Sequence, residues 1–143
     1  MSTNSKGIDL SHFQGNVDFK KVSEAGIEYA FIKATEGATV QDAKYTTYRT
    51  DARAVGIKTG AYHYFRALSS TPEAQRDNIV STLTAVGFDA CTEIFAIDLE
   101  LAGNEKATPD EMADNLNKLL TLLESEKILQ GKNHLYIAIT ISG

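Results

Sequence analysis

Two acids, Asp98 and Glu100, stand two residues apart in the run FAIDLE, residues 95 to 100. Side chains alternate between the faces of a strand, so both acids share one face while Ile97 and Leu99 share the other. Such a pair could work as general acid and base on a glycosidic bond, could hold magnesium, or could be a solvated strand end. Asp9, between Ile8 and Leu10 in GIDLS (7 to 11), repeats the pattern near the end of an earlier strand. Convergent carboxylates repel, so at least one is expected to keep its proton above the ordinary Glu value of about 4.3, as a general acid near neutral pH requires. Alpha carbons two apart on a strand are roughly 6.6 Å apart. Retaining glycosidases separate their carboxyl groups by about 5 to 5.5 Å and inverting ones by about 6.5 to 9.5 Å, and side-chain rotation leaves both open.

The elements that must position these acids alternate regularly. Strands are expected at 7 to 11, 28 to 35, 57 to 65, 92 to 100 (TEIFAIDLE) and 134 to 141 (HLYIAITI). Between them, NVDFKKVSEAG (16 to 26) reads as a helix closed by Gly26, and Tyr45, Tyr48, Ala52 and Val55 form a helical stripe from about 42 to 55. A third helix opens at Ser70, Thr71 and Pro72, with Glu73 reaching back to Ser70, and stops at Gly87. The fourth opens with TPDE (108 to 111), a capping box of Thr108 and Glu111, and carries Met112, Leu116, Leu119, Leu120 and Leu123 on one side. Strand, helix, strand without hairpin signals predicts right-handed crossovers and a parallel sheet. An open nucleotide-binding sheet would carry a glycine-rich loop after its first strand, whereas SHFQGN has one glycine, so the pattern favours a parallel β/α barrel of the TIM-like type. A complete barrel takes about 250 residues, and five strands with four helices in 143 residues predict a modified, incomplete one. Its mouth, at the strand C-termini, is where Asp98, Glu100 and Asp9 would meet.

Composition narrows the chemistry further. The 143 residues, 43% hydrophobic and 23% charged, predict one globular domain over residues 1 to 143. A net charge of −5 without basic patches argues against nucleic acid as the partner. No run approaches the roughly 18 apolar residues of a membrane span, and MSTNSKGIDL lacks the apolar segment of a signal peptide. The single cysteine, Cys91, excludes an internal disulfide or a cysteine metal cluster and is expected to be buried packing beside a core strand. His12 and His63, each next to aromatics, read as hydrogen-bonded structural histidines. Lys33, within an apolar strand and on the alternation of Phe31 and Thr35, would need a charge partner among the central acids or else snorkel to the surface. Glu36 and Arg66, at strand ends, read as rim contacts or solvated charges.

GIDLSHFQG (7 to 15), FIKATEG (31 to 37), GAYHYFR (60 to 66) and FAIDLE (95 to 100) together resemble, in order and spacing, the motifs of glycoside hydrolase family 25. These are the muramidases often called Chalaropsis-type lysozymes, found in bacterial autolysins and phage endolysins. The resemblance implies a modified β/α barrel and hydrolysis of the β-1,4 bond between N-acetylmuramic acid and N-acetylglucosamine, with no metal or cofactor. It implies Glu100 as general acid and base. Asp98 would be its partner, as nucleophile or as the group orienting the substrate's N-acetyl. Asp9 would bind sugar and tune the pair. Tyr62, with Tyr64, His12, Phe13, Lys33 and Glu36 around it, is expected to meet the substrate; Phe13 stands where the family often has tryptophan.

The family's domain runs on for roughly fifty residues more, which complete the barrel and add a carboxylate and aromatic walls. HLYIAITISG matches its fifth strand poorly, and the Ile-rich edge at 135 to 141 invites self-association or cover by a second chain. The expected partner is peptidoglycan, reached by a non-signal route such as phage lysis or by other secretion. A non-catalytic peptidoglycan-binding or regulatory remnant, or a truncated product, are the alternatives.

Overall fold

The computed structural model describes residues 6–131 and 136–140. Along them run the strands β1 (Gly7–Leu10), β2 (Tyr29–Glu36), β3 (Val40–Gln41), β4 (Lys58–Tyr64), β5 (Ile94–Glu100) and β6 (Tyr136–Thr140), and the helices α1 (Phe19–Glu24), α2 (Tyr45–Ala54), α3 (Pro72–Val86) and α4 (Pro109–Glu124). Residues 134, 135 and 141 of the expected last strand lie outside the described residues.

Helix ends follow from local chemistry. The Asp18 carboxylate accepts from the Lys20 and Lys21 amides to start α1. At α4, Thr108 and Glu111 form the expected reciprocal capping box, with donor to acceptor distances of 3.1 and 2.9 Å. At α3 the cap is Thr71 rather than Ser70: Thr71 Oγ1 accepts from the Ala74 amide, while Ser70 Oγ accepts from Ala38 across the molecule. Gly87 closes α3 at φ 69°, a left-handed conformation that a side chain disfavours.

The sheet grows in one direction, in the order β1-β2-β4-β5-β6, with every one of these neighbours parallel. A doubly wound sheet reverses at a switch point, and this order does not. Right-handed crossovers in a sheet growing one way return on the same side, so the helices share one face. There Ala30, Ile32, Ala61, Phe95 and Ile97 pack into one core with Tyr48, Ala52, Ile79, Leu83, Leu119 and Leu123.

Further expectations need correction. A hairpin joins β2 to β3 antiparallel, through the Gly37–Thr39 turn in a stretch expected to carry no hairpin. In β2 the register slips between Lys33 and Thr35, so that Thr35 pairs with His63. This bulge turns Thr35 to the helix side, off the alternation of Phe31 and Lys33, and brings Glu36 onto the open side instead. Val55, the last residue of the α2 stripe, is exposed. Cys91 is exposed too, in the turn before β5 where its amide donates to Asp89.

Candidate active site

The face of the sheet opposite the helices carries the acids. With Phe95 and Ile97 of β5 in the core, Asp98 and Glu100 turn to the open side, both half-buried at the C-terminal end of the strand. The register sets Tyr64 beside Asp98 and Tyr62 beside Ala96, and on β1 it sets Asp9 beside Phe31. Burial pushes the Tyr62 hydroxyl well above the ordinary phenol range, and the negative charges of Asp98, Asp9, Asp42 and Glu100 push it the same way. Four carboxylates from three parts of the chain therefore bear on one phenol.

Asp42 is the acid that sequence reading passed over. It stands just after β3, buried, and its Oδ2 accepts from the His12 amide at 3.1 Å and meets His12 Nδ1 at 2.8 Å. Its other oxygen accepts from the Lys44 amide at 2.9 Å. The turn after β1 is fixed in three ways: by Asp42, by Gln14 Oε1 accepting from the Ser11 amide at 2.6 Å, and by the Tyr48 hydroxyl donating to the Gly15 carbonyl. This turn presents Phe13 81% exposed, its ring 4.2 Å from that of His12. An aspartate just ahead of a helical stripe is a usual helix-start signal. Its partner thirty residues away left no mark in the sequence.

Lys33, only 7% exposed, finds its partner in Glu36 rather than among the central acids: Nζ lies 2.6 Å from Glu36 Oε1. The other carboxylate oxygen, Oε2, accepts from Arg66 Nε at 3.0 Å and from Nη2. Both cations lie over the ring of Tyr64, Lys33 Nζ at 5.2 Å and the Arg66 guanidinium at 5.0 Å from its centroid. Burial raises the Glu36 pKa, but the hydrogen bonds and charges of Lys33 and Arg66 outweigh it and hold the carboxyl below the usual range.

The loop after β5 is bolted to the same group. The Tyr64 hydroxyl donates to the Ala102 carbonyl, and Arg66 Nη1 donates to that of Gly103 at 3.0 Å. Gly103 has φ 82°, which strains any other residue, and a Cβ there would also displace the Arg66 guanidinium, 1.8 Å away at Nη1. Buried Asn104 donates to the Phe65 and Glu100 carbonyls, each at 2.9 Å, and accepts from Ala67, which ties the end of β5 to the end of β4.

His63 faces the other way, into the core. Gln75 donates its amide to the Arg66 carbonyl, so its Oε1 must accept from His63 Nε2 at 2.8 Å, and Thr35 Oγ1 then donates to Nδ1 at 2.6 Å. Burial lowers the pKa of this neutral imidazole to about 4 despite the opposing Gln75 hydrogen bond. It is the structural histidine the sequence suggested.

The described residues hold no helix long and apolar enough to cross a membrane. A family model for glycosyl hydrolases family 25 matches residues 8–139. The chain is 37% identical over 118 residues to the autolytic lysozyme of Clostridium acetobutylicum, an alignment covering 82% of this chain and 34% of that protein. Among solved structures it is similar to a family 25 glycosyl hydrolase from Bacillus anthracis, with a TM-score of 0.78 at 25% identity, covering 94% of this chain and 60% of that one. A bacterial lysozyme from Streptomyces coelicolor gives a TM-score of 0.78 at 27% identity, covering 96% and 64%. The chain thus spans about a third of the curated relative and under two thirds of these structures.

Proposed function

The chain belongs to glycosyl hydrolases family 25, and from that premise we propose that it acts as a peptidoglycan muramidase, hydrolysing the β-1,4 bond between N-acetylmuramic acid and N-acetylglucosamine. The observation that carries this reading is the pairing of Asp98 and Glu100 on the open face at the end of β5, with Tyr62 and Tyr64 beside them. Glu100, at the strand's last position, protonates the glycosidic oxygen as the bond breaks and then takes a proton from the attacking water. Asp98, one pleat deeper, meets the positive charge that develops on the sugar, either by direct attack or by orienting the substrate's N-acetyl group. Asp9 binds sugar from β1, and Tyr62 lines the groove with His12 and Phe13 at its rim. The rigid turn under Phe13 supports the last assignment, because an exposed aromatic on a fixed backbone is suited to packing on a sugar face.

The one-directional parallel order with helices on a single face supports reading the sheet as part of a β/α barrel wall, with residues 1–143 belonging to a single catalytic domain. The names of the relatives, a lysozyme and an autolytic lysozyme, support a site of action at the bacterial cell wall.

The test is to digest purified peptidoglycan, reduce the fragments with borohydride and identify the new ends by mass spectrometry. Muramitol ends are expected. Glucosaminitol ends, or no fragments from a folded sample, would contradict the reading, and the second result would favour a glycan-binding role.

A further inference from the structure

The open face carries positive as well as negative charge, and the positive charge is organised. Glu36, Tyr64 and Asp98 lie in one row across β2, β4 and β5. Glu36 stands two strands from Asp98, about 10 Å at the usual strand spacing. Between them the Tyr64 ring carries Lys33 and Arg66 against it, and both of these cations are bound by Glu36. Three of the roughly four acceptor sites of the Glu36 carboxylate are taken, one by Lys33 and two by Arg66.

Building on the muramidase reading, we propose that Glu36 is a positioning residue: it gathers Lys33 and Arg66 onto Tyr64 and cancels part of their charge, which sets the field at Asp98 and Glu100. With Glu36 in place the three groups sum to one positive charge; without it they sum to two. The Tyr64 hydroxyl already registers both sides: burial raises its pKa, Glu100, Glu36 and Asp98 add to the rise, and Arg66 opposes it. Among the described residues, ionisable groups near the pair include Asp9 on β1, Asp42 after β3, Tyr62 on β4 and Glu105 in the loop after β5, the last interacting with Arg66. On β6 the register neighbours of Asp98 and Glu100 are Ala138 and Thr140, neither of which titrates, with Tyr136 lower down beside Ala96.

A purely structural role and an electrostatic one separate cleanly by sign. The side-chain carboxyl carbons of Asp98 and Glu100 would be followed by carbon-13 NMR through a pH titration of the parent, Glu36→Gln and Lys33→Met. At about 10 Å and an effective dielectric of about 20 to 40, one charge shifts a midpoint by about half a pH unit to one unit. Glu36→Gln is expected to lower the midpoints and Lys33→Met to raise them, while Glu36→Asp restores the parent's values. Midpoints that match the parent in both charge-changing variants, or that move the same way in both, would overturn the proposal. The titration needs no turnover. A parent that released no fragments would therefore sink the muramidase reading while leaving this result standing.

Discussion

Two carboxylates in this protein sit between pairs of cations, at opposite ends of the strands. Glu93, 2% exposed and just before β5, is held by Arg49 at 2.6 Å, Arg53 at 3.2 Å, Thr59 Oγ1 at 3.0 Å and the Asp89 amide at 3.2 Å. Arg49 also donates to Val86 and Gly87 at the end of α3. Glu36, at the C-terminal end of β2, is held by Lys33 and Arg66 and is less buried. The chemistry of the two clusters is alike and their setting is not. Glu93 knits two helix ends to the sheet away from the acids, whereas Glu36 stands in the row that ends on Asp98. In parallel β/α barrels the strand C-termini carry function and the N-termini carry stability, and the role proposed for Glu36 would divide these two clusters the same way.

The hardest blow to that contrast is to remove Glu93. Glu93→Ala leaves two guanidinium groups without their carboxylate and is expected to cost about 3 to 5 kcal/mol in urea unfolding. Glu36→Ala, at a more exposed site, should cost less than half of that while changing activity more. If the stability losses came out equal, the contrast would fail.

A second expected effect, about 3 kcal/mol at most, lies in pH dependence. His63 has its folded pKa lowered from 6.5 to about 4, so between those values the unfolded chain binds a proton that the folded one does not. Stability should be fully present above about pH 6.5 and fall as pH drops toward 4. His63→Gln should flatten that slope in chemical denaturation measured across the range.

Asp42→Ala removes the acceptor that fixes the turn bearing His12 and Phe13. It should cost about 1 to 3 kcal/mol and raise KM more than it lowers kcat, because the turn holds rim groups rather than the acid pair. The smallest effect is expected at Cys91. Cys91→Ser should stay within about 0.5 kcal/mol of the parent, and the native thiol should react promptly with a disulfide reagent.

What the sequence made legible was periodic. Alternation in FAIDLE put Asp98 and Glu100 on one face, the apolar stripe placed α4, and Thr108 with Glu111 marked its start, because each signal is local. The bulge in β2 was not legible, since one extra residue in a strand leaves no composition mark yet turns Thr35 inward and Glu36 outward. For the same reason Glu36 could not be read as the partner of Lys33. The hairpin at Gly37 was within reach, as a short glycine-containing link between strand-like runs is a known signal. The ties of Asp42 to His12, Arg66 to Glu36 and Asn104 to Ala67 span 30 or more residues, and side chains that meet only through tertiary folding cannot be read from spacing.

The proposed muramidase reaction depends on proton transfer by Glu100. Its most direct test is the initial rate of fragment release from purified peptidoglycan by the parent and by Glu100→Gln, with circular dichroism and thermal unfolding matched between them. General acid and base catalysis contributes about 10² to 10⁴ in rate. A loss of that order in a variant that folds and melts like the parent is the predicted result. Equal rates would contradict it.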